Sequence, residues 1–411
     1  MQNKFKKLLA LIGPGLFLIG YNIGTGSVTT MASAGSRWGM SLIWTVVLSC
    51  IFTFIGIWAF SRYTLATGET ILYAIKKRFP FGRPIAFFIM SALIIAEFMG
   101  VSGLMAIVVD ILQEWISITV GYSSWIVKIV ITISLAFILF VILWRGQYQF
   151  LEKILAITVA IMGICFIATA FFIVPSWGMI ISGLVPAIPK ESNATLIIAG
   201  MAGTTFSSAM LFCRSITLKE KGWTLLQSGR ARTDAIISVI AMFVLSISVM
   251  ICAAGTLYVI GKPIEETIDM VRILEPLAGN FAITLFMIGI VGAGVSSLIP
   301  TILIAPWIIS DITKQKINPG SLVNRIFITI GILIALIGPY LKTKPVSLMI
   351  LTMALLAIIL PLSIIGITVL LNQKHLGKYK ANIWVNLGLF TTIIFSFIMS
   401  YFGVVGIWRY F

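Results

Sequence analysis

Two short stretches of this chain set glycine and hydroxyl residues together inside apolar surroundings. The first runs Gly20-Tyr21-Asn22-Ile23-Gly24-Thr25-Gly26-Ser27, the second Gly200-Met201-Ala202-Gly203-Thr204-Thr205-Phe206-Ser207-Ser208. In a helix interior each glycine costs about 1 kcal/mol relative to alanine, so clusters of this kind predict helix breaks. At membrane depth, freed backbone groups survive only where protein or a water-filled cavity satisfies them. The chemistry on offer is non-covalent recognition by main-chain groups and hydroxyls. Its candidate residues are Gly24, Thr25, Gly26 and Ser27 in the first stretch, and Thr204, Thr205, Ser207 and Ser208 in the second. Bond-making chemistry has no comparable foothold. There is no Ser-His-Asp, Cys-His or paired-carboxylate arrangement and no phosphate-cradling loop, and the one histidine, His375, lies in a basic stretch. The four cysteines (Cys50, Cys165, Cys213, Cys252) lack metal or disulfide spacing. We expect no enzyme activity and no cofactor.

The elements that must position these residues are membrane helices. Of 411 residues, 59% are hydrophobic and 10% charged, with mean hydropathy +1.09, more apolar surface than a water-soluble fold can bury. The apolar runs predict an all-α polytopic membrane protein with eleven spans. They lie near 8–36, 40–61, 84–112, 123–144, 154–174, 194–217, 235–260, 278–310, 323–341, 346–372 and 382–408. Lys4, Lys6 and Lys7 before the first run imitate a signal peptide, but the apolar character continues past any cleavage site. The two broken stretches fall in the first and sixth spans. Each thus opens a five-helix unit, 8–174 and 194–372, which is the pattern of inverted-repeat transporters, with 382–408 as an additional helix. The alternative for either stretch alone is small-residue helix packing.

Lys and Arg, including Lys76, Lys77, Arg78, Arg83, Lys219, Lys221, Arg230 and Arg232, gather on alternate loops, while Glu265, Glu266, Asp269 and Glu275 share a loop on the other side. This places the N-terminus in the cytoplasm and the C-terminus outside, in a plasma membrane. The net charge of +16 then reflects topology and anionic lipid contact, with no nucleic-acid partner. A monomer is expected.

Residues 13–44, from Gly13-Pro14-Gly15 through Gly35 and Gly39 to Leu42-Ile43-Trp44, resemble the first-helix signature of the Nramp family (natural resistance-associated macrophage proteins) of divalent-metal transporters. Ala66-Thr67-Gly68 with Lys76 to Pro80 is similar to that family's loop after the second helix, and Leu151-Glu152-Lys153 to the start of its fifth. Leu285-Phe286, Gly289 and Ala293 to Ser297 resemble its eighth helix, and Leu360-Pro361-Leu362 its tenth. The resemblance implies a LeuT-type fold of two inverted five-helix repeats with broken helices 1 and 6. It also implies secondary transport of a divalent metal ion by alternating access.

The departures lie where the family binds its cargo. Its Asp-Pro-Gly-Asn break corresponds to Gly24, Thr25, Gly26 and Ser27, and its sixth-helix Met-Pro-His to Ser207, Ser208 and Ala209. A later sixth-helix histidine is matched by Arg214. Of three third-helix acids on the family's proton route, Glu97 fits the first, while Leu104 and Ile107 replace the others; Val295 and Ile359 stand for two glutamines.

None of the usual metal ligands remains, and Ser27 and Ser207 are the best substitutes. A dehydrated Mn²⁺ or Fe²⁺ among neutral dipoles leaves its desolvation uncompensated. Two cargo readings follow: a divalent ion that keeps its water, Mg²⁺ first, or a small organic solute such as an amino acid, held by helix N-termini. A non-transporting sensor or scaffold is the third class. Glu97, deep in the third span, is expected on a proton path or gate. Arg214 is the second candidate for a proton path or gate, and is expected either at an inner vestibule or snorkelling to the interface. Asp110 and Asp311 are expected to be interfacial, and Asn22 and Tyr21 to line or cap the break.

Overall fold

The computed structural model describes residues 24–146, 149–173, 177–191, 193–274, 280–314 and 318–410. All regular elements among them are helical. The principal helices are α1 (Thr25–Trp38), α2 (Ile43–Thr67), α3 (Gly82–Val120), α4 (Trp125–Arg145), α5 (Gln149–Phe172), α6a (Ala194–Thr205) with α6b (Ser208–Glu220), α7 (Ser228–Ala253), α8 (Asn280–Ile312), α9 (Leu322–Ile337), α10 (Pro345–Leu371) and α11 (Ile383–Tyr410). Nine helices among the described residues are long and apolar enough to cross a membrane. The first span is described only from Gly24 on, so Gly20, Tyr21, Asn22 and Lys4 to Lys7 lie outside the described residues, as does Glu275.

Burial divides the helices into an inner set and a lipid-facing set. The broken pair α6a and α6b is buried from Ala194 to Ile216, whereas α4 turns Ile126, Val130, Ile133 and Phe137 outward, and α11 turns Phe390, Ile394 and Phe397 outward. In hydrocarbon such faces cost nothing, because lipid tails are as apolar as the side chains. The core packs α10 against α6a, α3 and α11, with α1 between α6a and α7.

Close approach to α10 crowds two glycines of α6a, and at one of them, Gly203, no side chain fits. A Cβ at Gly203 would stand 1.8 Å from the Met353 carbonyl oxygen of α10, and one at Gly200 would stand 3.1 Å from Ile350 Cγ2. These glycines lie inside a regular helix. The break itself falls at Phe206 and Ser207, in extended backbone (Ser207 φ −88°, ψ 132°). Both sequence readings of the second stretch therefore apply, to different residues. In the first stretch Gly24 is extended (φ −90°, ψ −174°) and α1 begins at Thr25.

The basic end of the bundle is tied together by ionic contacts. Asp311, expected at the interface, is buried (4% exposed); it accepts from Thr70 Oγ1 at 2.6 Å and from Lys219 Nζ at 3.2 Å. The loop between α2 and α3 descends here through a short helix, Ile71–Arg78, which shields the carboxylate from water.

Next to it, Glu69 accepts from Lys77 Nζ at 2.7 Å and from Arg78 Nη2 at 2.7 Å. Burial alone would raise the Glu69 pKa, but the hydrogen bonds and charges of Lys77 and Arg78 outweigh it and hold the carboxyl below its ordinary value. Its contribution to stability is complete above the unfolded-state pKa, about 4.3, and disappears as pH falls through the lower folded value. Below about pH 4.5, Glu69→Gln is therefore expected to show a shallower fall of melting temperature than the unmodified protein.

Candidate cation site between the helix breaks

A cavity lies where the two breaks meet α3, α8 and α10. Gly24, Gly26 and Ser27 line it from the first break, and Gly203, Thr204 and Ser207 from the second. Thr25, Thr205 and Ser208 are buried but are absent from its wall. Thr25 Oγ1 lies against Gly294 of α8, the Thr205 carbonyl accepts from Thr53 at 3.0 Å, and Ser208 donates to the Leu356 carbonyl at 3.4 Å.

α3 brings Glu97 to the same wall, 2% exposed. It is the one ionisable side chain in the lining among the described residues. A site of hydroxyls and carbonyls alone, as the sequence suggests, is thus corrected. Hydroxyls facing each other across helices are too weak to neutralise a dication, but a carboxylate removes one of its two charges.

Several lining residues carried no sequence signal of their own. α8 supplies Ser297 and Thr301, and α10 supplies Met349, Thr352 and Met353. Ser297 and Thr301 are four residues apart and so share a helix face, a pattern that can be read from sequence only once the face is known. The hydroxyls of Ser207 and Ser297, 1% and 3% exposed, are both buried without a hydrogen-bond partner. An orphaned buried hydroxyl costs about 1–3 kcal/mol, and Ser207 and Ser297 bring two of them to this wall. The methionines present their methyl ends to the break: Cε of Met353 and of Met349 lie 2.6 and 2.8 Å from where a Gly26 Cβ would stand. The cavity, of about 30 Å³, has room for about two waters.

Two helix ends give the cavity its electrostatic form. α6a ends there with its carbonyl pole, and α6b begins there at Ser207, which makes no side-chain cap. A cation is favoured on the α6a side, near Glu97 and the last-turn carbonyls, and an anion on the α6b side.

Arg214 is in neither of its expected places. Its side chain, fully buried on α6b, pairs with Asp234 of α7, donates from Nε to Ser61 Oγ at 3.0 Å, and donates from Nη2 to the Ala231 carbonyl at 3.0 Å. With its three donor directions used, it joins α2, α6b and α7. It lines no vestibule and does not reach the interface. Asp110, partly exposed, pairs with Lys128 at 2.9 Å. His375 has its ring against Tyr63, 6.2 Å between centroids, away from the cavity.

The family model described as Nramp, natural resistance-associated macrophage protein-like, matches residues 15–406. The divalent metal cation transporter MntH of Vibrio campbellii is 24% identical over 410 residues, 97% of this chain and 92% of that protein. The natural resistance-associated macrophage protein 2 homolog of Dictyostelium discoideum is 23% identical, covering 92% of this chain and 61% of its own. Among solved structures, the Eremococcus coleocola manganese transporter superposes with a TM-score of 0.75 at 16% identity, over 98% of this chain and 87% of that one. MHP1, a nucleobase-cation-symport-1 family transporter in a closed conformation, superposes with a TM-score of 0.58 at 16% identity, over 96% and 90%.

Proposed function

The chain belongs to the Nramp family, and on that footing we propose that it is a secondary transporter of a divalent metal cation, bound between the two helix breaks with part of its water retained. The observation that carries this reading is Glu97, a buried carboxylate on the wall of an otherwise hydroxyl-lined cavity. One carboxylate and several hydroxyls form a hard-oxygen site. Mg²⁺ suits it, because that ion dehydrates reluctantly and takes one or two carboxylates together with water. Met349 and Met353 also line the cavity, and their thioethers are the soft donors against which competition by Mn²⁺ weighs the hard-oxygen set. Room for about two waters also suits a small ion better than an amino acid. The distribution of Lys and Arg supports a topology with the Glu69 end in the cytoplasm.

Proteoliposomes holding the purified protein test the reading with a Mg²⁺-sensitive dye inside. Mg²⁺ influx is expected, with little competition from Mn²⁺, and Glu97→Gln is expected to lower it by on the order of a hundredfold. Influx unchanged by that substitution would remove Glu97 from the site. Uptake of alanine in place of any divalent ion would favour the organic-solute reading, and uptake of neither the sensor.

A further inference from the structure

A second cavity, of about 200 Å³, lies at the end of the bundle opposite the basic loops. The end of α1, the starts of α6a and α10, and the stretch at Ile264 and Glu265 enclose it. We propose that it is a binding site for a small carboxylate, with Arg37 as its anchor.

The guanidinium of Arg37 is left with unused donors. Its Nε is buried without an acceptor, and its Nη2 has only a long contact, 3.5 Å, to the Ile264 carbonyl. Nε and Nη2 form the edge that a carboxylate engages with two parallel hydrogen bonds. Lys344, 2.6 Å from Glu265, supplies a second cation, so the lining carries two positive charges and one negative. Glu265 acts on both cations, and Glu266 and Asp269 act on Lys344 from outside the cavity; within the lining itself the positive charges remain in excess, which favours an anion there.

Backbone electrostatics point the same way. α6a starts from Asn193 and α10 from Lys344. Both residues line the cavity, and neither helix start is capped by its side chain. Two positive helix poles therefore converge where the two cations lie. Ser33 and Ser347 add hydroxyls to the wall.

The carboxylate has two possible sources, a simple organic acid or an amino acid. An amino acid would also bring an ammonium, for which the buried, partnerless Oδ1 of Asn193 and the carboxylate of Glu265 are acceptors in the same lining. The site is separate from the Glu97 cavity, with which it shares no lining residue. Occupancy does not depend on what crosses the membrane.

Thermal unfolding of the detergent-purified full chain tests the site, with acetate, L-alanine and sodium chloride compared at equal ionic strength. Stabilisation by acetate and alanine beyond that of chloride is expected, and a larger effect of alanine would identify the amino-acid source. Arg37→Gln is expected to weaken the response roughly tenfold or more, and Ser347→Leu, which fills the cavity while leaving Arg37 in place, to abolish it. The proposal is overturned if chloride stabilises as well as the carboxylates do, if no carboxylate stabilises, or if Ser347→Leu responds like the unmodified protein.

Discussion

Arg214→Met is expected to destabilise the folded protein by about 3–5 kcal/mol, the cost of leaving a buried partner charge alone. Asp234→Asn is expected to cost a similar amount. Both side chains are withdrawn from solvent, and Arg214, on α6b, satisfies groups on two other helices, α2 and α7, at once. Arg214→Lys retains the charge but is expected to recover little, because an ammonium cannot reproduce the fork that reaches Ser61, Asp234 and Ala231 together. The double variant Arg214→Met, Asp234→Leu is expected to be far more stable than either single variant, since apolar replacement of a whole buried pair is often neutral. Chemical unfolding in mild detergent, read as a double-mutant cycle, measures the coupling. Additive losses in the cycle would show that the two residues act separately.

The second large effect is expected at Gly203. A Cβ there meets the Met353 carbonyl oxygen at 1.8 Å and its carbon at 2.7 Å. Both are backbone atoms of a helix, and no side-chain rotation relieves the clash. Gly203→Ala must push α6a away from α10, at a cost of about 3 kcal/mol or more, the upper end of overpacking penalties. Since Gly203 and Met353 both line the Glu97 cavity, the displacement also changes the site. Gly229→Ala is the matched control: its added Cβ meets nothing within 4 Å, and loss of a glycine from a helix is neutral or stabilising. Equal melting temperatures for Gly203→Ala and Gly229→Ala would refute the packing account.

Hydropathy made the spans legible because lipid leaves apolar faces exposed and no other solvent does. The observed helices differ from the expected spans mainly at their ends, as at α3, which continues to Val120. Gly24 was legible as a break because glycine is locally unfavourable in a helix. Gly200 and Gly203 carry the same local signal for a different reason, contact with α10, and a single sequence does not separate the two.

The charged pair was hidden more deeply. Asp234 stands at the edge of an apolar run, where an acid ordinarily meets water, and only the packing of α6b and α7 against α2 brings it to Arg214. Ser297, Thr301 and Thr352 are hydroxyls that bond to carbonyls in many membrane helices. What sets Ser297 apart is an unmade bond, which only three-dimensional packing reveals.

The Arg214–Asp234 pair also bears on how the protein meets the membrane voltage. A charge carried across the field responds by about 2.3 kcal/mol per 100 mV, and a lone arginine on a mobile half-helix would make its motion voltage-driven. Here the guanidinium travels with its carboxylate, and a neutral pair moved as one body transfers no gating charge. Any displacement that keeps this pair intact therefore carries no net charge of its own through the field.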